Sequence, residues 1–135
     1  MANSLSNYSE NLILNSIFGG TVLTPSTTLY FGLSTTSVQE DGTGITEPSG
    51  NGYVRVGVTN NTTLFPITTT SSKTNGTAIS FQSATGSWGN IKDFFVSDAL
   101  NGGNILCYGT LSTPKDVTSG DILSFGIGHL TITLD

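Results

Sequence analysis

Two hydrophobic rhythms divide the chain. Between Asn7 and Phe18 the apolar positions are Leu12, Ile13, Leu14, Ile17 and Phe18, preceded by Asn7 and Glu10 and followed by Gly19-Gly20. Asn7 with Glu10 three residues on has capping-box spacing, and the paired glycines supply a stop, so residues 7–18 are expected to form one helix capped by Asn7. At about 100° per residue these side chains spread over more than half of the circumference. A surface helix needs only one apolar face to join its own domain. The excess has two readings. Either the helix also touches a neighbouring subunit, through Leu12, Ile13, Ile17 and Phe18, or it plugs one end of a barrel or sandwich.

After Pro25 the rhythm changes to strands. Thr28 to Leu33 reads as a buried strand, and Val54, Val56 and Val58 alternate with Arg55 and Gly57 in the clearest half-buried one. Between them Ser37 to Gly52 is dense in turn formers. The Thr-rich stretch from Asn60 to Lys73 contains Pro66, which argues against a central strand. Further strand patterns cover Ile79 to Gln82, Ile91 to Val96 and Ile105 to Leu111, with Asn75-Gly76 as a turn and a polar loop expected from Pro114 to Gly120. Asp121 to Phe125 and His129 to Leu134 read as a closing hairpin across Gly126-Ile127-Gly128.

About eight short strands with turns between them predict an all-β fold: an antiparallel β-sandwich, jelly-roll-like, with one N-terminal α-helix. Residues 1–135 form one domain on this reading, with residues 7–18 as a docking helix. The expected core is Leu29, Phe31, Val54, Val56, Phe81, Phe95, Leu130, Ile132 and Leu134.

Composition narrows the function. Charged residues are only 10% of the chain, and the net charge is −5. Four scattered cations (Arg55, Lys73, Lys92, Lys115) cannot form the basic patch that holds phosphates, so direct nucleic-acid or anionic-membrane binding is not expected. No run approaches a membrane span, and the start Met1-Ala2-Asn3-Ser4 lacks the basic flank of a signal peptide. Synthesis in the cytosol is expected, from which a chain can leave by lysis without an export signal.

Candidate chemistry is sparse. His129 is the sole imidazole, and no Gly-x-Ser-x-Gly elbow accompanies it. Cys107 is the sole thiol and lies in an apolar run, so no intrachain disulfide or zinc site is expected. The loop carboxylates Glu40, Asp41 and Glu47 lack EF-hand spacing and read as a solvated loop; Asp93, Asp98, Asp116 and Asp121 suit turns and caps. Trp88, flanked by glycines, fits packing under a turn, with a stacking contact to a glycan as the alternative. The expectation is therefore no catalytic site, no metal and no cofactor.

Several stretches occur together in order. They are Asn7 to Asn11, Phe18 to Thr21, Leu29 to Thr35, Asp41 to Gly44, Glu47 to Val56, Thr74 to Gly76, Ala84 to Gly89, Asp98-Ala99 with Gly102 to Asn104, and Ile132 to Asp135. In this set the chain resembles the small phage structural proteins commonly labelled "phage tail fibre protein", nearly end to end. Phe31 and Asn51 stand where smaller residues or glycine are common in that family. The resemblance implies a non-enzymatic virion component of a tailed phage that assembles with other virion proteins, as a homo-oligomer with a trimer as first guess. It leaves tail fibre and capsid decoration or cement protein both open; few copies per particle would mean tail, many would mean capsid. A host polysaccharide receptor-binding module, using Trp88 or the Ser37 to Gly52 loop, is the alternative.

Overall fold

The computed structural model describes residues 3–134. Strand β1 (Asn3–Leu5) leads directly into helix α1 (Asn7–Ile17). Then come β2 (Thr28–Ser34), β3 (Val56–Thr59), β4 (Ser72–Thr74), β5 (Ile79–Ser80), β6 (Gly89–Ser97), β7 (Ile105–Val117), β8 (Ser124–Phe125) and β9 (Thr131–Thr133). The class is all-β with an N-terminal helix, as the strand patterns predict. One antiparallel sheet has the order β1-β7-β6-β2-β3. Opposite it stand two short ribbons, β4-β9 and β5-β8, with ordered loops; the ladders do not join these into a second full sheet.

Register decides the two faces of the main sheet. Phe31 pairs with Val96, and Val96 with Cys107, which in turn pairs with Leu5. This face carries the main core, closed by Phe65, Ile79, Phe81, Trp88, Phe125 and Leu130 from the ribbons and loops. On the other face Gly32 pairs with Phe95 and Phe95 with Tyr108. Here Val38 and Ile45, from the segment between β2 and β3, cover Phe95 and Ile105. Both faces are therefore closed over the centre, and Phe31 to Ser34 and Asp93 to Ser97 are buried without alternation.

The second face is fastened by polar contacts. Arg55 is buried, and its Nε and Nη2 donate to the two carboxylate oxygens of Glu47 at 3.0 Å each. Its Nη1 donates to the carbonyls of Ala99 and Gly102, both at 2.8 Å. The guanidinium lies over the Phe95 ring, 4.9 Å from its centre. Tyr53 Oη donates to Glu47 at 2.7 Å and accepts from the Leu33 amide at 3.0 Å. Under Phe95 sits Gly32, where a Cβ would fall 2.2 Å from the ring. One column thus runs from Gly32 through Phe95 and Arg55 to Glu47. Asp93 adds a latch, accepting from the Val38 amide at 2.8 Å.

Burial alone would raise the Glu47 carboxyl, but the Arg55 and Tyr53 hydrogen bonds and the Arg55 charge together hold it below its ordinary 4.5. A carboxyl depressed in the folded state stabilises the fold above its unfolded pKa and loses that contribution as pH falls through the folded one. Urea midpoints are expected to fall as pH drops below about 4.5, and Glu47→Gln should flatten this acid limb. An unchanged acid limb in Glu47→Gln would show that other carboxyls carry it.

Several local expectations are corrected. Ser6, not Asn7, caps α1: its Oγ accepts from the Ser9 amide at 3.3 Å. Strand β7 continues through Pro114 where a loop was expected. The pairing slips between Ile91 and Asp93, which oppose Lys115 and Thr110, so Pro114 lies in a bulge where no ladder amide is needed. The closing hairpin does not form, because β8 pairs with β5 and β9 with β4. Asn75 explains why. Its buried amide donates to the Thr77 and Gly126 carbonyls at 2.9 Å and accepts from the Leu130 amide at 3.0 Å, while its backbone carbonyl accepts from Gly128 at 2.8 Å. That clamp draws the Gly126–Leu130 turn onto β4 and β5. Of the expected core, Leu29, Phe31, Val56, Phe81, Phe95, Leu130 and Ile132 pack inward. Val54 and Leu134 are exposed: β3 begins only at Val56, and β9 ends at Thr133.

Candidate assembly surface

Helix α1 is attached by one end. Ser6 Oγ donates to the Ile105 carbonyl, Ser9 Oγ donates to the Leu106 carbonyl at 2.7 Å, and the Ser6 amide donates to Leu106 at 3.0 Å. The Asn7 amide donates to Glu40 at 2.9 Å. All of these partners lie at the first turn, and Ser9 is the only buried residue of the helix. The remaining turns carry Leu14, Ile17 and Phe18 of the broad stripe away from the core. At the far end the Thr21 amide closes back on the Asn15 carbonyl at 3.0 Å. Gly19 and Gly20 make this possible with φ of 143° and 68°, values that residues with a Cβ rarely adopt.

The four residues expected at a subunit contact separate into two sets. Leu12 and Ile13 are half-buried and line a groove between the helix and the start of β2. Ile17 and Phe18 project from its end, 66% and 77% exposed. Four further residues outside the expected contact join them: Tyr8 and Leu14 on the helix, and Val22 and Leu23 in the linker, all exposed. The linker was legible only as a connection after paired glycines. The groove has a volume of about 520 Å³, and Leu5, Leu23, Leu29 and Leu106 complete its apolar wall, with Lys73 and Asp98 at hand. An apolar ridge beside an apolar groove is a surface that gains by being covered.

The other candidate positions lie apart from this surface. Trp88 is 3% exposed; its indole N–H donates to the Asn51 carbonyl at 2.8 Å, and its ring meets Tyr53 edge-on at 5.3 Å. A glycan has no ring face to stack on there. Glu47 is not a free loop carboxylate but the partner of Arg55. Asp41 accepts from the Thr43 hydroxyl at 2.6 Å and amide at 3.0 Å, which hold its carboxyl below the usual range and close a turn. Asp98 and Asp121 likewise accept from the Asn104 and Thr118 amides. Burial pushes the Cys107 thiol up to about 12, so it is no nucleophile at neutral pH. His129 is exposed at a turn. Among the described residues no group of three His, Cys, Asp or Glu could hold a metal ion, and no helix is long and apolar enough to cross a membrane.

No curated protein matches the chain. One family model, described as Podophage GP4 fiber I protein gp80, matches residues 4–133. The match takes in the helix, the main sheet and both ribbons. The chain belongs to this podophage fibre protein family and is a component of the virion.

Proposed function

We propose that this chain is a non-enzymatic structural part of the particle, joined to neighbouring virion proteins through α1 and its linker. The observation that carries this reading is the exposure of Ile17 and Phe18 at the end of a helix whose only buried residue is Ser9. A helix that serves only its own domain turns its apolar side inward. This one is attached through polar side chains at its first turn and keeps Leu14, Ile17 and Phe18 outside. The β body then acts as a rigid base that holds the helix in place. Low charge suits the role, because a neutral surface is easier to desolvate than a charged one.

Phe18→Lys tests the reading. A cation is tolerated at a helix C-terminus, so the fold is expected to persist. The purified variant should keep its circular dichroism and melting temperature. In phage grown with only the variant gene, the amount of this protein per particle should fall severalfold. Incorporation at the unaltered level would sink the proposal.

A further inference from the structure

We propose that the groove beside α1 receives the Ile17–Phe18 ridge of a second copy of this chain, an inference that rests on the assembly role of this surface. Three observations point to a copy. First, ridge and groove lie on one continuous surface. Ile17, Phe18 and Val22 protrude, while Leu5, Leu12, Ile13, Leu23, Leu29 and Leu106 line a recess of about 520 Å³. Each chain therefore carries both the projecting part and its seat. A ridge on one copy that fits a recess on the next repeats until the ring closes, or pairs two copies about a two-fold axis.

The area is also sufficient. The exposed parts of Tyr8, Leu14, Ile17, Phe18, Val22 and Leu23 amount to on the order of 500 Å² of apolar side chain. A standard interface takes ~800 Å² from each partner, of which roughly 60% is apolar. One copy thus supplies about the apolar surface that a stable contact uses.

Charge is the third consideration. A net charge of −5 makes copies repel in general. On this surface the groove carries one cation and one anion, Lys73 and Asp98, and the helix adds Glu10. Lys73 Nζ donates to the Phe65 and Pro66 carbonyls at 3.3 and 2.8 Å and has a third N–H for Glu10 or Asp98 of the next copy, so like charges need not oppose each other.

The full chain should be an oligomer by light scattering at micromolar concentration. Phe18→Lys should convert it to a monomer with unchanged circular dichroism. Two single variants, Phe18→Cys and Leu23→Cys, are then co-expressed and oxidised; Cys107 is buried and does not compete. The mixed Phe18→Cys to Leu23→Cys disulfide should exceed either like-with-like disulfide severalfold by mass spectrometry. A monomeric native chain overturns the inference, as does an oligomer that survives Phe18→Lys, or an oligomer without the mixed disulfide. If the native chain is monomeric and Phe18→Lys still prevents incorporation into phage, the assembly role of α1 stands and its partner is a different virion protein. Should Phe18→Lys also be incorporated normally, both readings fall.

Discussion

Replacing Arg55 with alanine is expected to destabilise the fold by about 3 kcal/mol. The substitution removes four hydrogen bonds at once and leaves the half-buried Glu47 carboxylate without its cation. The Ala99 carbonyl loses the Arg55 donor in the same step, and the Gly102 carbonyl is left with Ser97 Oγ at 3.0 Å. A surface ion pair would give far less, because water replaces the lost partner. Arg55 differs because its side chain is closed in by the loops it joins, with only 6% exposed. Arg55→Lys should recover little, since an ammonium cannot span two carboxylate oxygens and two carbonyls in one plane. Trp88 is the only tryptophan, and its fluorescence reports unfolding in urea. With a slope of about 2 kcal/mol per molar, the midpoint should fall by roughly 1.5 M. An unchanged midpoint would mean that water already screens the pair.

Asn75→Ala is expected to have a comparable effect by a different route. The amide group fills a fully buried position, satisfies the Thr77 carbonyl and the Leu130 amide, and shares the Gly126 carbonyl with the His129 amide. Each buried polar group left without a partner costs about 1–3 kcal/mol, so a loss of about 3 kcal/mol is expected. The damage should be local as well as global. Leu130 should lose hydrogen-exchange protection of its amide, and β9 should loosen from β4, while β6 and β7 stay protected. Retained protection at Leu130 would rule out Asn75 as the clamp.

The fold class was legible because hydrophobic periodicity is local. Alternation in Val56–Val58 and the runs at Phe31 and Phe94 name strands without knowledge of their partners. Pairing was not legible, since it depends on residues far apart in sequence. Gly126-Ile127-Gly128 looked like a hairpin turn, yet Asn75 redirects that segment, and nothing near residue 126 announces it. Pro114 read as a loop because a bulge needs a partner strand to be seen. For the candidate surface, the breadth of the apolar stripe on α1 was readable, but it left a subunit contact and a plugged end of the fold equally open. The groove was not readable, because Leu29 and Leu106 come from strands whose neighbours the sequence leaves open. Arg55 appeared as one of four scattered cations; the alternation of Val54, Arg55 and Val56 pointed it to the opposite face, but the burial of that face is a tertiary fact.

Gly32 beneath the Phe95 ring has an implication for how such a chain can change over time. Any side chain at position 32 strikes the ring. Shrinking residue 95 would make room, but it would also take away the shelf on which the Arg55 guanidinium rests. Positions 32, 55 and 95 are therefore bound to vary together or stay fixed. A lineage that altered one first would have to survive an unstable intermediate, so among relatives of this chain the trio should drift as a unit.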